Sequence, residues 1–103
     1  FISQEIMPYL PENEMSKVYI ALQDNEEARY IVEAIEEDNP DATVIRQPAM
    51  IRVENENRLV VRRETVEEKM GRDWDVQELH MNLITLSGNV DEDDDQLSIE
   101  WKQ

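Results

Sequence analysis

The sequence has no cysteine among its 103 residues and a single histidine, His80. Without cysteine the chain cannot form disulfide bonds, bind an iron–sulfur cluster, use a thiolate nucleophile or build a zinc site on thiolates. One imidazole is too few for a zinc or iron site, and no serine or threonine stands at a spacing that would make it the nucleophile of His80. The residues therefore predict a protein with no catalytic residue, no bound cofactor and no metal site.

Glycine is also scarce, since the chain has two, Gly71 and Gly88, and proline occurs four times. Two isolated glycines exclude a glycine-rich phosphate-binding loop. The apolar runs are too short to span a membrane, and no stretch has the charged start and apolar centre of a signal peptide. We therefore expect a cytoplasmic protein that does not enter a membrane.

Positive charge is limited, because 10 basic residues stand against 25 acidic ones and the net charge is −15. Binding to nucleic acid or to an anionic membrane surface is disfavoured, since both need clustered lysine and arginine. A strongly acidic small domain is suited to a basic protein surface, although the charge alone fits solubility equally well. The one region able to meet an acidic patch holds seven of the ten bases: Arg46, Arg52, Arg58, Arg62, Arg63, Lys69 and Arg72.

The first half of the chain predicts a β-α-β-β order of elements. Residues 17–22 are rich in β-forming side chains, and a helix then opens at Asp24 with apolar residues at the spacing of one buried stripe. The pair Asn39-Pro40 is expected to end this helix. A strand over residues 43–46 follows, and residues 50–62 predict a β-hairpin whose turn lies at residues 55–57.

Two short helices are predicted next. Thr65 and Glu68 have the spacing of a capping box, in which each side chain accepts a hydrogen bond from a free backbone amide of the other residue. Gly71 follows at the position where a left-handed residue commonly ends a helix. Asp75 and Glu78 repeat the capping spacing for the second short helix.

Two further strands complete the prediction, over residues 81–90 and 97–101, joined across the acidic residues 91–95. Separate runs of helices and antiparallel strands indicate an α+β fold with a single compact domain. Trp74 and Trp101 are expected to anchor its core, and the alternative is that one of them is half exposed as an interface anchor.

Residues 1–14 are interpreted as an N-terminal extension ahead of one domain over residues 15–103. Met15 is suited as a natural start, and the apolar core pattern begins only after it. The extension contains Pro8 and Pro11, which make a long helix there unfavourable. A tail, a docking arm and a remnant of cloning are all consistent with its composition.

Several stretches spread over the chain carry a resemblance to a known family. They are residues 21–25 (ALQDN), 31–40 (IVEAIEEDNP), 63–69 (RETVEEK), 71–72 (GR), 75–78 (DVQE), 82–84 (NLI) and 86–92 (LSGNVDE). From about Ser16 to Gln103 the chain resembles the small effector, or coupling, proteins of soluble multicomponent diiron monooxygenases, in particular those of bacterial phenol hydroxylases. Residues 1–14 lie outside this resemblance.

The resemblance implies a regulatory protein that holds no cofactor and is not an enzyme on its own. Its partner would be the hydroxylase of a phenol 2-monooxygenase, whose large subunit contains a diiron centre that activates dioxygen. A separate reductase, with FAD and an iron–sulfur cluster, would deliver electrons from NADH. Binding of the effector would change the hydroxylase active site, so that electron use is coupled to the hydroxylation of phenol.

The resemblance also implies a contact surface. In the family, the segment that matches residues 82–88 faces the hydroxylase near the approach to its active site. Because a strand alternates its faces, Leu83 and one of Ile84 and Leu86 are expected to lie in the core instead. Two arginines of the basic region are added as groups that could meet acidic side chains of the partner. The predicted interface residues are Asn82, Ile84, Thr85, Leu86, Ser87, Arg46 and Arg52.

An alternative from a different class is a small-molecule-sensing α+β module that has no hydroxylase partner. Such a module would need an apolar pocket and would bind a small aromatic molecule or an amino acid by itself. An effector would need the hydroxylase and would bind no small molecule alone. Reconstitution of hydroxylase activity with and without this chain separates the two hypotheses.

Overall fold

The computed structural model describes residues 17–101, and residues 1–16 and 102–103 lie outside the described part. The predicted extension over residues 1–14 therefore lies outside it, and its boundary at Met15 stays a prediction. The described residues form these elements in chain order: β1 (Lys17–Gln23), α1 (Glu26–Asp38), β2 (Thr43–Gln47), β3 (Met50–Glu56), β4 (Arg58–Arg62), α2 (Arg63–Met70), a 3-10 turn (Val76–Glu78), α3 (Leu79–Asn82), β5 (Leu83–Ser87), β6 (Asn89–Glu92) and β7 (Gln96–Glu100).

The strands form two antiparallel sheets, which confirms the α+β prediction. The larger sheet has the order β2-β3-β1-β5, and the smaller has the order β4-β7-β6. In the larger sheet, β1 is covered on both edges, and its Val18, Ile20 and Leu22 are fully buried. The same apolar core includes the buried stripe of α1 and Leu97 and Ile99 of β7. One core thus joins both sheets and the helices.

Helix α1 confirms the helix predicted from the apolar spacing. Its N-cap is Asn25 rather than Asp24, because the Asn25 side chain accepts a hydrogen bond from the backbone N–H of Ala28 at 2.8 Å. The helix ends at Asn39, which is buried. The Asn39 side chain donates to the carbonyl of Val60 at 2.8 Å and accepts from its N–H at 3.0 Å. Asn39 therefore ties the end of α1 to β4. The buried residues of the helix are Ala28, Ile31, Val32, Ala34 and Ile35.

The hairpin predicted over residues 50–62 is wrong, because β3 and β4 lie in different sheets. β3 pairs with β1 and β2, whereas β4 pairs with β7. The chain passes from one sheet to the other at Asn57, which has a positive φ of 69°. Alternating polarity shows which face of a strand is buried, but it does not identify the neighbouring strand.

The tight hairpin of this region is instead β2–β3, in which Gln47 pairs with Met50. Its two central residues are Pro48 and Ala49, and Ala49 has a φ of 63°. Proline at the first central position and a positive φ at the second are the features of a type II turn. Ala49 is a costly residue at such a φ, because its Cβ crowds the backbone there.

Helix α2 differs from the prediction at its start and agrees at its end. It begins at Arg63, and its N-cap, Arg62, makes no capping hydrogen bond through its side chain. The capping box predicted for Thr65 and Glu68 is wrong, because Thr65 lies inside the first turn, where it is buried. The predicted end is confirmed, since Gly71 has the left-handed φ of 74° and donates its N–H to the carbonyl of Glu67.

The second predicted cap is confirmed. The carboxylate of Asp75 accepts a hydrogen bond from the N–H of Gln77, and the carboxylate of Glu78 accepts one from the N–H of Asp75, both at 2.9 Å. The two side chains form a capping box at the 3-10 turn. This turn leads directly into α3, so the predicted short helix exists in two parts.

The strand predicted over residues 81–90 is wrong in its extent. Met81 and Asn82 are the last residues of α3, and the remainder is divided at Gly88 into β5 of the larger sheet and β6 of the smaller one. Gly88 has a φ of 134°, a conformation that side chains rarely allow. The second predicted hairpin is confirmed, because β6 and β7 pair as neighbours across the acidic turn.

The two tryptophans differ in their surroundings. Trp74 is 2 % exposed and belongs to the core, as predicted. Trp101 is 41 % exposed, and its Nε1 donates a hydrogen bond to the carbonyl of Lys17 at 2.7 Å. A core position for Trp101 is therefore wrong, because its ring is half exposed, and the role of an interface anchor stays a prediction.

Candidate docking site

The residues predicted to meet a partner begin at the junction of α3 and β5. We call residues 82–87 the docking segment. β5 is an edge strand of the larger sheet, because it pairs with β1 on one side and with no described strand on the other. An edge strand presents unpaired backbone groups and is a common place for contact with another chain.

A β-bulge shapes the docking segment. Thr85 pairs with Ala21 and Leu83 pairs with Leu22, so Ile84 is an extra residue in β5. At this bulge, Ile84 and Thr85 are both exposed, whereas Leu83 and Leu86 pack partly against the core. The expected core position of Leu83 is thus confirmed, and Leu86 is the second core-facing residue. Bulges redirect side chains in this way because two residues oppose one on the neighbouring strand.

Asn82 differs from the rest of the docking segment because it is buried, with 6 % of its surface exposed. Its Oδ1 accepts a hydrogen bond from the Nδ2 of Asn25 at 2.7 Å. Its own Nδ2 is buried and has no hydrogen-bond partner in the described structure. The structure therefore places Asn82 behind the exposed residues and not beside them.

The pairing register places Arg52 on the same face of the sheet as Thr85. Arg52 pairs with Ala21, and Ala21 pairs with Thr85, so the three residues form one row across β3, β1 and β5. The side chains of directly paired residues point to the same face of a sheet. Ile20 and Leu22 are the neighbours of Ala21 in β1, so the row of Arg52 and Thr85 lies on the opposite face from them. Two strand spacings, about 10 Å, separate Arg52 from Thr85 along the row.

Arg52 is held in place by its neighbours. Its guanidinium lies 3.8 Å from the ring centroid of Tyr19, a cation–π contact. Its Nε lies 2.8 Å from a carboxylate oxygen of Glu54, although this N–H makes no well-directed hydrogen bond. Sequence reasoning missed Tyr19 and Glu54, because the row that brings them to this face depends on the register between strands.

The structure does not bring Arg46 next to the docking segment. Arg46 is exposed on β2, which is the opposite edge of the larger sheet from β5. Its row also contains Ile51 and Leu22, which face the core. Arg46 and Thr85 are therefore three strands apart and belong to rows of opposite faces.

Met81 is exposed beside the docking segment and was missed by sequence reasoning. It is 73 % exposed, the highest value among the large hydrophobic residues exposed in the described part of the chain. The sequence assigned Met81 to a strand, whereas it lies on the last turn of α3. Its neighbour His80 contacts Glu92 of β6, with 2.8 Å between Nε2 and Oε1. An exposed thioether three residues before exposed Ile84 is suited to contact with an apolar surface.

Neither a metal site nor a membrane span is found between residues 17 and 101. No three histidine, aspartate or glutamate side chains in that range are placed to hold a metal ion. None of the helices there is long and apolar enough to cross a membrane. Two open clefts of the same range are lined by charged and polar residues, among them Glu54 and Asn55 in one and Arg63 and Glu67 in the other. Such clefts differ from the apolar pocket that a sensor of aromatic molecules needs.

The described residues form an α+β body in which β5 is an exposed edge strand, the kind of edge to which another protein chain can bind. A model of the MmoB/DmpM family matches residues 16–100, so the chain belongs to that family. The chain is 64 % identical over 87 residues to the phenol 2-monooxygenase stimulatory component DmpM of Pseudomonas sp. (strain CF600). That match covers 84 % of this chain and 97 % of the relative.

Solved structures show the same likeness. A chain of a phenol hydroxylase–regulatory protein complex superposes with a TM-score of 0.80 and is 59 % identical, covering 84 % of this chain and 99 % of that one. The regulatory protein B of soluble methane monooxygenase superposes with a TM-score of 0.67 at 16 % identity, covering 84 % of this chain and 65 % of that one. The second likeness shows a shared fold only.

Proposed function

We propose that this chain is the cofactor-free effector component of a multicomponent phenol hydroxylase. It would bind the diiron hydroxylase and promote coupled, NADH-driven hydroxylation of phenols. The observation that carries the proposal is the 64 % identity to a stimulatory component over 97 % of that component's length. The relative at 59 % identity comes from a complex of phenol hydroxylase with its regulatory protein, which supports the hydroxylase as the partner.

The docking segment is the part of the surface that we assign to the hydroxylase. Ile84 and Thr85 supply exposed side chains at the bulge, and Leu86 and Ser87 continue the edge strand. Arg52 supports this assignment, because it shares a face and a row with Thr85. Arg46 would contact only a part of the partner that extends to the far edge of the sheet.

An effector without a catalytic group acts through differential binding. It raises the population of whichever hydroxylase conformation it binds more tightly, and the size of the shift is limited by that difference in affinity. The chemistry would belong to the partners, with a diiron centre in the hydroxylase and with FAD and an iron–sulfur cluster in the reductase. All of these components would meet in the cytoplasm.

Reconstitution tests the function. Hydroxylase and reductase are mixed with phenol and NADH, and this chain is added in increasing amounts. We expect product formation and the ratio of product to NADH consumed to rise and then saturate as the hydroxylase is filled. The matched control is the same chain unfolded by heat, which keeps composition and charge. Equal product per NADH with the folded chain, the unfolded chain and no addition would refute the function.

A further inference from the structure

Asn25 connects the docking segment to helix α1, although it lies outside that segment. Its side chain makes two hydrogen bonds at once. The Oδ1 accepts from the N–H of Ala28 at 2.8 Å, which caps α1, and the Nδ2 donates to the Oδ1 of Asn82 at 2.7 Å. The second bond joins residues 57 positions apart in the sequence. A side chain fixed at one end by a helix cap is a rigid donor for the other end.

Asn82 occupies the point where the chain changes from helix to strand. It is the last residue of α3, and β5 begins at Leu83. The Oδ1 of Asn82 accepts the hydrogen bond from Asn25. The Nδ2 of Asn82 has no hydrogen-bond partner among the described residues. The orientation of this buried carboxamide therefore depends on Asn25.

Helix α3 needs such tertiary support. It has four residues, and Glu78 at its N-cap makes no capping hydrogen bond through its side chain. A helix this short has too few internal hydrogen bonds to be stable by itself. Besides the capped 3-10 turn that leads into it, its fixed points are buried Leu79, the contact of His80 with Glu92, and the bond of Asn82 to Asn25. Of these, only the last is made by the residue that directly precedes β5.

We propose that Asn25 is a positioning residue for the docking segment and acts through Asn82. The proposal rests on the proposed function. Asn25 determines where β5 begins and thereby places Ile84 and Thr85, the residues that the hydroxylase would contact. Asn25 itself does not contact the hydroxylase, and neither does the buried carboxamide of Asn82. Helix α1 and the docking segment then form one rigid unit.

Asn25→Ser separates the two roles of this side chain. Serine is as good an N-cap as asparagine, so α1 keeps its cap, but the hydroxyl is too short to reach Asn82. Asn55→Ser is the matched control, because it also removes one carboxamide hydrogen bond, from Nδ2 to the carbonyl of Arg58 at 2.9 Å. Asn55 lies near the far end of β3, and its bond is local to the turn that follows.

The first measurement uses the free protein and does not depend on the hydroxylase. Backbone amide resonances of wild type and both variants are compared by NMR. We expect Asn25→Ser to shift the resonances of residues 82–87, more than 50 positions away, and Asn55→Ser to leave them in place. Unchanged resonances of residues 82–87 in folded Asn25→Ser would overturn the positioning role, whatever the function of the protein.

The second measurement is the reconstitution assay with each variant. We expect Asn25→Ser to raise the half-saturating concentration about fivefold, the factor that corresponds to one lost hydrogen bond of ~1 kcal/mol. Product per NADH at saturation should return to the wild-type value, because the contacting side chains are unchanged. A half-saturating concentration equal to that of Asn55→Ser would overturn the proposal. Absence of stimulation by the wild type would overturn the proposed function instead, and the NMR result would still decide the role of Asn25.

A double-mutant cycle provides the last check. If Asn25 acts through Asn82, Asn25→Ser in an Asn82→Ala background adds little to the loss caused by Asn82→Ala alone. Full additivity of the two effects on half-saturation would show that Asn25 acts by another route, and the proposal would fail.

Discussion

At the scale of single residues, Gly88 shows how closely the two sheets approach. It connects β5 of the larger sheet to β6 of the smaller one, with a φ of 134°. A Cβ built on Gly88 would overlap Cγ2 of Ile99 and would lie 3.0 Å from Cγ1 of Val18. Both of those side chains are fully buried in the core. Only a glycine fits this crossing without moving a core residue.

We therefore expect Gly88→Ala to destabilise the protein strongly. Overpacking costs about 1–3 kcal/mol, and the positive φ adds about 1 kcal/mol, so the free energy of unfolding should fall by about 2–4 kcal/mol. Gly71→Ala is the matched control, because its φ is also positive, at 74°, but no atom lies within 4 Å of the new Cβ. It should cost about 1 kcal/mol. Urea unfolding of both variants measures the difference, and equal losses would contradict the close approach at Gly88.

Lys69 provides a prediction on pH. Its Nζ lies 2.7 Å from Oε1 of Glu37, and this hydrogen bond and the charge of Glu37 raise the pKa of Lys69. A lysine whose pKa is raised on folding stabilises the protein below the pKa of the unfolded chain, about 10.4. The contribution is lost as the pH rises through the raised pKa of the folded state.

The stability of wild type should therefore exceed that of Lys69→Met by a small amount at pH 7, and this excess should shrink as the pH rises beyond about 10.4. Unfolding by urea at several pH values measures it. A difference that stays constant up to pH 11.5 would show that the ion pair between α1 and α2 does not contribute.

At the scale of secondary-structure elements, the bulge in β5 determines what the docking segment exposes. We expect Thr85→Lys to leave the protein folded, because Thr85 is exposed on an edge strand, where lysine is well tolerated. Thr43→Lys is the control, since Thr43 is exposed on β2, the other edge of the same sheet. In the reconstitution assay, Thr85→Lys should raise the half-saturating concentration at least tenfold or lower the product per NADH. Thr43→Lys should match the wild type.

An equal effect of the two substitutions would show that β5 is not the functional edge. The interface would then be sought on the exposed acidic side of α1, which contains Glu26, Glu33, Glu36 and Glu37.

Local chemistry determined how well each element could be predicted. Helix α1 and the capping box of Asp75 and Glu78 follow from residue spacing alone, and both were predicted. The pairing of β4 with β7 could not be predicted, because the alternation of polar and apolar residues does not show which strands are neighbours. The same limit applied to the site, where exposed Thr85 was expected but the burial of Asn82 and its hydrogen bond to the distant Asn25 were not.

At the scale of the whole molecule, the described core begins in β1. Val18 is the first buried residue of the described part, and it belongs to one core with other residues of β1 and with residues of later elements. We therefore expect deletion of residues 1–14 to change the melting temperature by only a few degrees. Calorimetry of the shortened and full chains measures this. A loss of more than about 10 °C would correspond to at least ~1–2 kcal/mol and would show that the extension packs on the domain.

The rate of association with a partner depends both on the net charge of the whole molecule and on single charged side chains at the interface. The chain has a net charge of −15, so its field should speed association with a basic surface, and added salt should slow that association. Arginines in the basic region would act against this field unless they meet acidic groups of the partner. Exposed Arg46 on β2 is the test case.

Arg46→Gln and Arg29→Gln remove the same charge at two exposed positions, and Arg29 lies on α1, paired with Asp24 at 3.0 Å. If Arg46 meets an acidic patch of the hydroxylase, Arg46→Gln should slow association about two- to fivefold at low ionic strength, the size expected for one rim charge, and should leave dissociation nearly unchanged. Arg29→Gln should leave association unchanged or slightly faster, because it makes the acidic field stronger. Stopped-flow association at several salt concentrations distinguishes the cases. Faster association of both variants would mean that the net charge alone governs the encounter, and Arg46 would then be removed from the predicted interface.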